Sequence, residues 1–298
     1  MPLISGRFFF CAYSEEGRAE RLTSVCVRAR VCAAIAVGAI SVEADVWLYN
    51  STLFVGHHTS SLSGNRTFAS LYIDPLVALL EKQNPSSPFV KATYRKLVTC
   101  WKYIPCHIEE LTWTSSQPIS GVFDASAGQT LYLWVDVKTG ANETWAAVKT
   151  ALEPLREKGY LTTFSGGVMQ RGAVTVIGTG NTPLDRVIEE AERDYFVDGP
   201  LLALEERRIT KEMSPIASCD LPAVVGQVGP NGLSAAQMRS IRNVVKSANE
   251  RGIKTRLWDL PGWPIGKRNK VWQQVVDAGV YLLNVDDLEA AKSMGGTA

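Results

Sequence analysis

One arrangement of apolar and polar positions recurs along the chain: an amphipathic helical stretch, a glycine, then a short β-rich run. It occurs in AAIAVGAISVEADVW, WAAVKTALEPLREKGYLTTF, MRSIRNVVKSANERGIKTRLW and VWQQVVDAGVYLLNV. Gly38, Gly159, Gly252 and Gly279 each suit the left-handed position that ends a helix, where a Cβ is costly. Helix starts are marked as well: Asp74-Pro75 opens LVALLEKQ, which Asn84-Pro85 stops, and Ser234 with Gln237 makes a capping box. Strands are expected at Ile40–Leu48, Leu53–Val55, Thr130–Val137, Val174–Ile177, Tyr195–Val197, Val224–Val228, Lys254–Trp258 and Val280–Val285. Most alternate with helices, and LYLWV and VYLLNV are apolar on both faces, as buried parallel strands are. The expected fold is α/β, a closed TIM (β/α)8 barrel of the usual length of about 250 residues, with a doubly wound sheet as runner-up.

Two stretches stand outside this rhythm. Residues 1–32 have no cap and no clean period, and residues 91–119 interrupt the path from the Leu76 helix to the Thr130 strand without a single glycine. A loop of that length is uncommon inside a compact domain. The barrel is therefore assigned to 33–298, with 1–32 as an atypical leader and 91–119 as an atypical insertion, both read as artefacts of the gene model. Five of the six cysteines fall in these stretches, and none forms a CxxC pair or stands at zinc spacing from a histidine, so neither a disulfide framework nor a zinc site is expected.

Composition narrows the function. With 298 residues, 46% of them hydrophobic and 20% charged, the chain can bury a substantial core. Thirty-one Lys+Arg against 30 Asp+Glu, with no basic stripe, argue against a nucleic-acid partner. The longest nearly apolar run, Val31 to Val42, is far short of the roughly 20 residues that span a bilayer. The first residues lack the layout of a signal peptide, which makes the cytoplasm the default compartment, while acceptor triplets at Asn50, Asn65 and Asn142 leave a secreted origin open.

Candidate chemistry gathers at strand ends. In VEADVW, Glu43 and Asp45 share one face of a strand, with Val42, Ala44 and Val46 on the other. A solvated face is the plain explanation for such a pair, but apolar flanks favour the C-terminal end of a barrel strand, where catalytic groups sit. Asp136 and Lys138 repeat the geometry in LYLWVDVKT, where the plain explanation is a capping ion pair. Three carboxylates without a thiolate suit a hard ion, Mg²⁺ ahead of Ca²⁺, and Lys138 would neutralise a phosphate oxygen. His57, just past a strand, is a candidate general acid. Its neighbour His58 is expected to point away, because adjacent side chains diverge on an extended chain. The loop Gly178-Thr179-Gly180-Asn181 is a weak candidate for backbone contact with phosphate, and WDLPGWP (258–264) reads as core packing or as the wall of a pocket for an apolar substrate.

Taken together, VEADVWLYNSTLFVGHHTSSLSGNRTFASLYIDPLVALLEKQNP, GQTLYLWVDVKT, VTVIGTGNTPLD, SPIAS and WDLPGWPIGKRNKVWQQVVDAGVYLLNVDDLEA resemble the fungal family called altered inheritance of mitochondria protein 6. That family is similar to the phospholipase C-like phosphodiesterases, which include glycerophosphodiester phosphodiesterases and sphingomyelinase D toxins. The resemblance runs from about 33 to 292, excepting 91–119. It implies a (β/α)8 barrel in which Glu43, Asp45 and Asp136 match the Mg²⁺ ligands and His57 the histidine that protonates the leaving oxygen. It also implies that Lys138 contacts phosphate and that Trp258 lines the substrate pocket.

The family's first strand ends in a motif carrying another catalytic histidine, and no histidine precedes Glu43 here. The first strand is therefore expected to be aberrant or missing. The apolar run Arg7–Tyr13 is a disfavoured substitute, since it would present Ser14 and Glu15 where the family presents histidine. The resemblance implies a phosphoric diester hydrolase of lipid metabolism, acting on a small-molecule or lipid phosphodiester, with membrane-surface contact allowed and no protein partner implied. The alternative is a non-catalytic barrel that binds a metal and a phosphorylated ligand. A nicotinamide-dependent oxidoreductase is disfavoured because the glycine fingerprint is absent. The gene-model reading predicts that the transcript lacks the coding sequence for 1–32 and 91–119; a transcript encoding both would remove it.

Overall fold

The computed structural model describes residues 10–12, 30–85 and 119–295. Its strands are β1 (Phe10–Ala12), β2 (Ser41–Tyr49), β3 (Thr52–Val55), β4 (Leu131–Val137), β5 (Thr163–Ser165), β6 (Val168–Gln170), β7 (Val174–Gly180), β8 (Tyr195–Val197), β9 (Gly199–Pro200), β10 (Ile216–Asp220), β11 (Lys254–Trp258) and β12 (Leu282–Val285). Ten of them form one sheet, nine in the order β8-β7-β4-β2-β1-β12-β11-β10-β9 and β3 paired to β2 off this path, while β5-β6 make a separate hairpin. Every pairing along the main path is parallel. The ladder does not close into a barrel, since its end strands β8 and β9 are not paired with each other. They are nevertheless consecutive in sequence, separated by Asp198 alone.

The alternation of side chains explains how the sheet is buried on both faces. In β4, Leu133 and Val135 join a large cluster that includes Leu76, Leu80, Val148, Ile241 and Val271 from the helices. Tyr132 and Trp134, on the opposite face, join a second cluster with Ile40, Ile177, Phe196, Ile216 and Leu282. The two-residue period of a strand divides one apolar run between two cores. Trp134 is fully buried, and its indole N–H donates to Ser41 Oγ at 2.8 Å, so its polar atom is not stranded.

The helices obey the local signals. Ser234 accepts from the Gln237 amide while Gln237 accepts from the Ser234 amide, which caps Ala235–Glu250. Gly38, Gly159, Gly252 and Gly279 have φ between 67° and 89°, the backbone that ends a helix and that a Cβ disfavours. Among the described residues no helix is long and apolar enough to cross a membrane.

Three expectations need correction, and a fourth is met in part. The sheet does have a strand in the place thought aberrant or missing: β1 lies between β12 and β2, with Cys11 opposite Ser41 and Asn284. Apolarity, the one signal that Arg7–Tyr13 offered, was enough to seat it. The strand assigned to Val224–Val228 is instead β10, at Ile216–Asp220, and Leu221–Val225 is a helix. Asp220 accepts from the Ala223 amide at 2.6 Å and Pro222 sits in the first turn, so a cap and a helix-compatible proline outweigh the apolar run that suggested β. Cys32 is disulfide-bonded, although spacing along the sequence gave no sign of a pair. The barrel expectation is met only as far as a mixed α/β fold built on a parallel sheet.

The insertion read at 91–119 lies outside the described residues up to 118, but its two flanks meet. Asn84 Oδ1 accepts from the Ser120 amide at 2.8 Å, and Asn84 Nδ2 donates to the Ser120 carbonyl at 2.9 Å. One side chain thus ties together the chain on either side of the excursion.

Candidate active site

The carboxylates picked from the sequence fall side by side because β2 and β4 are in register: Asp45 stands opposite Asp136, two rungs beyond the Glu43–Trp134 pair. Glu43, Asp45, Asp136, Lys138, His57 and Trp258 all line one cavity of about 1150 Å³. The sequence reading therefore names six residues that the fold brings to a common space.

Anionic groups so close together need counter-charges, and two cations supply them. Lys138 Nζ lies 2.6 Å from Asp136 Oδ2 and 3.1 Å from Asp45 Oδ1, bridging the two strands. Burial would lower the pKa of this ammonium, but hydrogen bonds and charge from Asp136 and Asp45 outweigh it and leave the pKa raised. Glu43 is paired instead with Arg256, and both are buried, at 7% and 3% exposure. Arg256 also donates to Asn284 Oδ1 through Nε at 3.2 Å and Nη2 at 2.8 Å, and its guanidinium sits 4.4 Å from the Trp134 ring. This surround of carboxylate, amide and aromatic face suits a planar guanidinium better than an ammonium.

His57 reaches the cavity on a hairpin. β2 runs on past the sheet and turns at Asn50 and Ser51, with φ of 45° and 60°, into antiparallel β3. Both central residues lie in the left-handed region, as a two-residue hairpin turn requires. The chain after β3 is then pinned, because Gly56 N–H donates to Asp45 O at 3.2 Å and Gly56 O accepts from Trp47 Nε1 at 2.7 Å. His57 follows directly and faces the carboxylates' cavity. The two rings do not diverge as expected, since His57 Nδ1 and His58 Nε2 lie 3.1 Å apart, one donating and one accepting according to tautomer, with ring centroids 4.2 Å apart, yet His58 is not among the residues that line the cavity. The bend after β3 removes the extended geometry on which divergence depended.

The phosphate role suggested for Gly178–Asn181 is not supported at its last residue, since the Asn181 amide already donates to Val137 O at 2.9 Å. Gly180 has another use. At φ 62° it approaches Asp136 so closely that a Cβ would collide with the carboxylate Oδ1.

Sequence reasoning missed Arg256, Asn284 and Asp198, which also line the cavity. Arg256 had a legible signal, a charged residue at the centre of the buried run KTRLW, two positions from Trp258 and on the same face. Asp198 had none, as YFVDGP looks like a strand followed by a turn. Its Oδ2 accepts from Thr179 Oγ1 at 2.9 Å and from Ser218 Oγ at 2.6 Å, joining β7 to β10, while Oδ1 is buried without a partner. Burial pushes this carboxyl up to about 6, against the opposing pull of the Ser218 and Thr179 hydrogen bonds and of Arg256.

Among the described residues no three His, Cys, Asp or Glu side chains converge as a ready metal cage, because Lys138 and Arg256 stand against the carboxylates. The donor chemistry of Glu43, Asp45 and Asp136, oxygen throughout, nonetheless fits a hard divalent ion.

The AIM6-like phosphodiesterase domain matches residues 27–105 and 105–198, more than half of the chain. The chain belongs to this family. It is 45% identical over 263 residues to the altered inheritance of mitochondria protein 6 homolog of Arthroderma benhamiae, a match that covers 87% of this chain and 76% of that protein. It is 32% identical over 294 residues to altered inheritance of mitochondria protein 6 of Zygosaccharomyces rouxii and 30% over 286 residues to that of Lachancea thermotolerans. The chain spans 65% and 60% of the length of those two proteins. Within the AIM6-like match, the two segments meet at residue 105, inside the stretch that breaks the helix–strand rhythm, and the second includes Asp136, Lys138 and Asp198.

Two measurements follow from the charges of this AIM6-like site. Arg256→Met strands a buried carboxylate, so urea unfolding at neutral pH is expected to show a loss of about 3–5 kcal/mol. The double variant Arg256→Met/Glu43→Gln, with no charge left to strand, should recover much of it; equal losses would mean that the pair is not the cause. For Asp198 the folded-state pKa lies above the unfolded value of 3.8, so the folded form holds more protons between about pH 4 and about 6. Its stabilising contribution is full below the unfolded value and is lost as pH rises through about 6. The stability of the wild type relative to Asp198→Asn should therefore fall over this window, and a difference independent of pH would refute the shifted titration.

Proposed function

We propose that this chain is a phosphoric diester hydrolase of the phospholipase C-like type, acting on a glycerophosphodiester or lysophospholipid-type substrate. The observation that carries the reading is that Glu43, Asp45, His57, Asp136 and Lys138 line one cavity in a chain of a phosphodiesterase family. We also read the sheet as a (β/α)8 barrel whose strands from β2 onward lie within 33–298, with β1 (Phe10–Ala12) joining them as first strand from outside that range. β8 and β9 would be two halves of one strand, broken at Asp198 but bridged there through Thr179 and Ser218. A single apolar cluster drawn from β4, β7, β8, β10 and β12 fits the interior of such a barrel.

Glu43, Asp45 and Asp136 would hold Mg²⁺, which when bound supplies Lewis-acid stabilisation of charge on the phosphoryl oxygens. Lys138, held between Asp45 and Asp136, would offer a fixed positive charge to a non-bridging phosphate oxygen. His57 donates a proton to the departing alkoxide, and its contact with His58 restrains the ring. Trp258, 41% exposed, offers an indole face to the organic part of the substrate. Arg256 holds Glu43 in place through their ion pair.

A second reading is favoured by one feature of the sequence, the lack of any histidine before Glu43. With one acid–base group in place of two, the same cavity would bind a metal and a phosphorylated ligand without turnover. The deciding assay is hydrolysis of bis(4-nitrophenyl) phosphate, glycerophosphocholine and lysophosphatidylcholine with Mg²⁺ or with EDTA. The hydrolase reading expects activity that EDTA abolishes and that His57→Ala lowers about 10²-fold or more. A folded chain that binds Mg²⁺ and phosphate but turns over none of the three would establish the binding-only reading instead.

A further inference from the structure

Among the described residues three lysines and arginines line the cavity, and two of them are already engaged. Lys138 is held between Asp45 and Asp136, and Arg256 is buried against Glu43. Arg207 is the third. Its side chain is exposed and makes no ion pair or hydrogen bond with any of the described residues.

Backbone contacts, rather than a side-chain partner, set its position. The Arg207 amide donates to Ala203 O at 3.0 Å, one helical turn back, and of residues 203–207 these two alone line the cavity. Side chains four apart on such a turn share a face, which here is the face toward the cavity. The turn is anchored by Leu201, Leu204 and Ile209, all buried, and the Ile209 amide donates to Leu204 O at 2.9 Å. Leu202, 53% exposed, lines the cavity too, so one short stretch offers it an unengaged guanidinium and an apolar side chain.

The charge balance gives such a guanidinium a task. Seven carboxylate residues line the cavity against those three cations, so an entering phosphodiester anion meets repulsion unless a cation is at liberty to receive it. A guanidinium stays charged, and its planar fork can donate to two phosphate oxygens at once. Building on the phosphodiesterase reading, we infer that Arg207 is a substrate-binding residue whose guanidinium grips the non-bridging oxygens of the phosphodiester. It supplies affinity for the anion and takes no part in proton transfer.

The test is ³¹P NMR titration of the full chain, in magnesium-containing buffer, with diethyl phosphate, a diester anion without a head group. Arg207→Met is expected to weaken binding about tenfold or more, the scale of hydrogen bonds between charged groups, and Arg207→Lys, which keeps the charge but loses the fork, to fall between. Mg²⁺ affinity and the urea midpoint should stay at wild-type values in both variants; a loss of Mg²⁺ binding in parallel with phosphate would mark a merely structural role and overturn the inference. Should Arg207→Met fold poorly, Arg207→Lys decides, and wild-type affinity in it would refute the two-oxygen grip. Wild-type binding in Arg207→Met that Lys138→Met abolishes would sink the role of Arg207 and leave the phosphodiesterase reading standing. No binding of diethyl phosphate by the wild type would sink both.

Discussion

Ionised carboxylates at the end of an apolar parallel sheet call for partners held just as firmly, and for Glu43, Asp45 and Asp136 these are cations. Here the matching is divided. Lys138 bridges Asp45 and Asp136 on neighbouring strands, and Arg256 reaches Glu43 from β11, on the far side of β1 and β12. Removing either cation would leave charge in a low-dielectric space, where the penalty is several times that of a surface pair. The arrangement also ties the two flanks of β1 together, because the Glu43–Arg256 contact spans it. A three-residue strand is a weak element alone, and side chains that join the strands around it help to keep the sheet continuous.

Most of the fold could be read from local patterns because those patterns have local causes. A glycine at φ above zero, a serine with a glutamine three residues on, and an asparagine–proline stop act within one turn of helix, and the structure follows them. The error at Val224–Val228 has the same origin, since an apolar run was weighed above the cap and proline just before it. The candidate site was legible for a different reason: Glu43, Asp45, Asp136 and Lys138 alternate on buried strands, so their face was known before their neighbours were.

What escaped the sequence depends on contacts between distant segments. Arg256 finds Glu43 across 213 positions, and Thr179 and Ser218 meet Asp198 from two strands that are not adjacent in the sheet. The His57–His58 contact was misjudged because an ideal extended chain was assumed where the backbone turns. Between residues 84 and 120 the sequence announces an irregularity but not its consequence. The Asn84 clasp on Ser120 brings the two flanks together, and loop entropy grows only slowly with length, so the architecture tolerates an addition between them.

The hairpin that carries His57 stands apart from the strands that make the sheet. β3 pairs with β2 alone, off the main path. In evolutionary terms the proposed acid–base group would ride on an appendage, while the parallel strands carry the core. Changes in that one short turn would therefore leave the main sheet's pairings untouched, so the proposed chemistry could be altered or lost while the fold is kept.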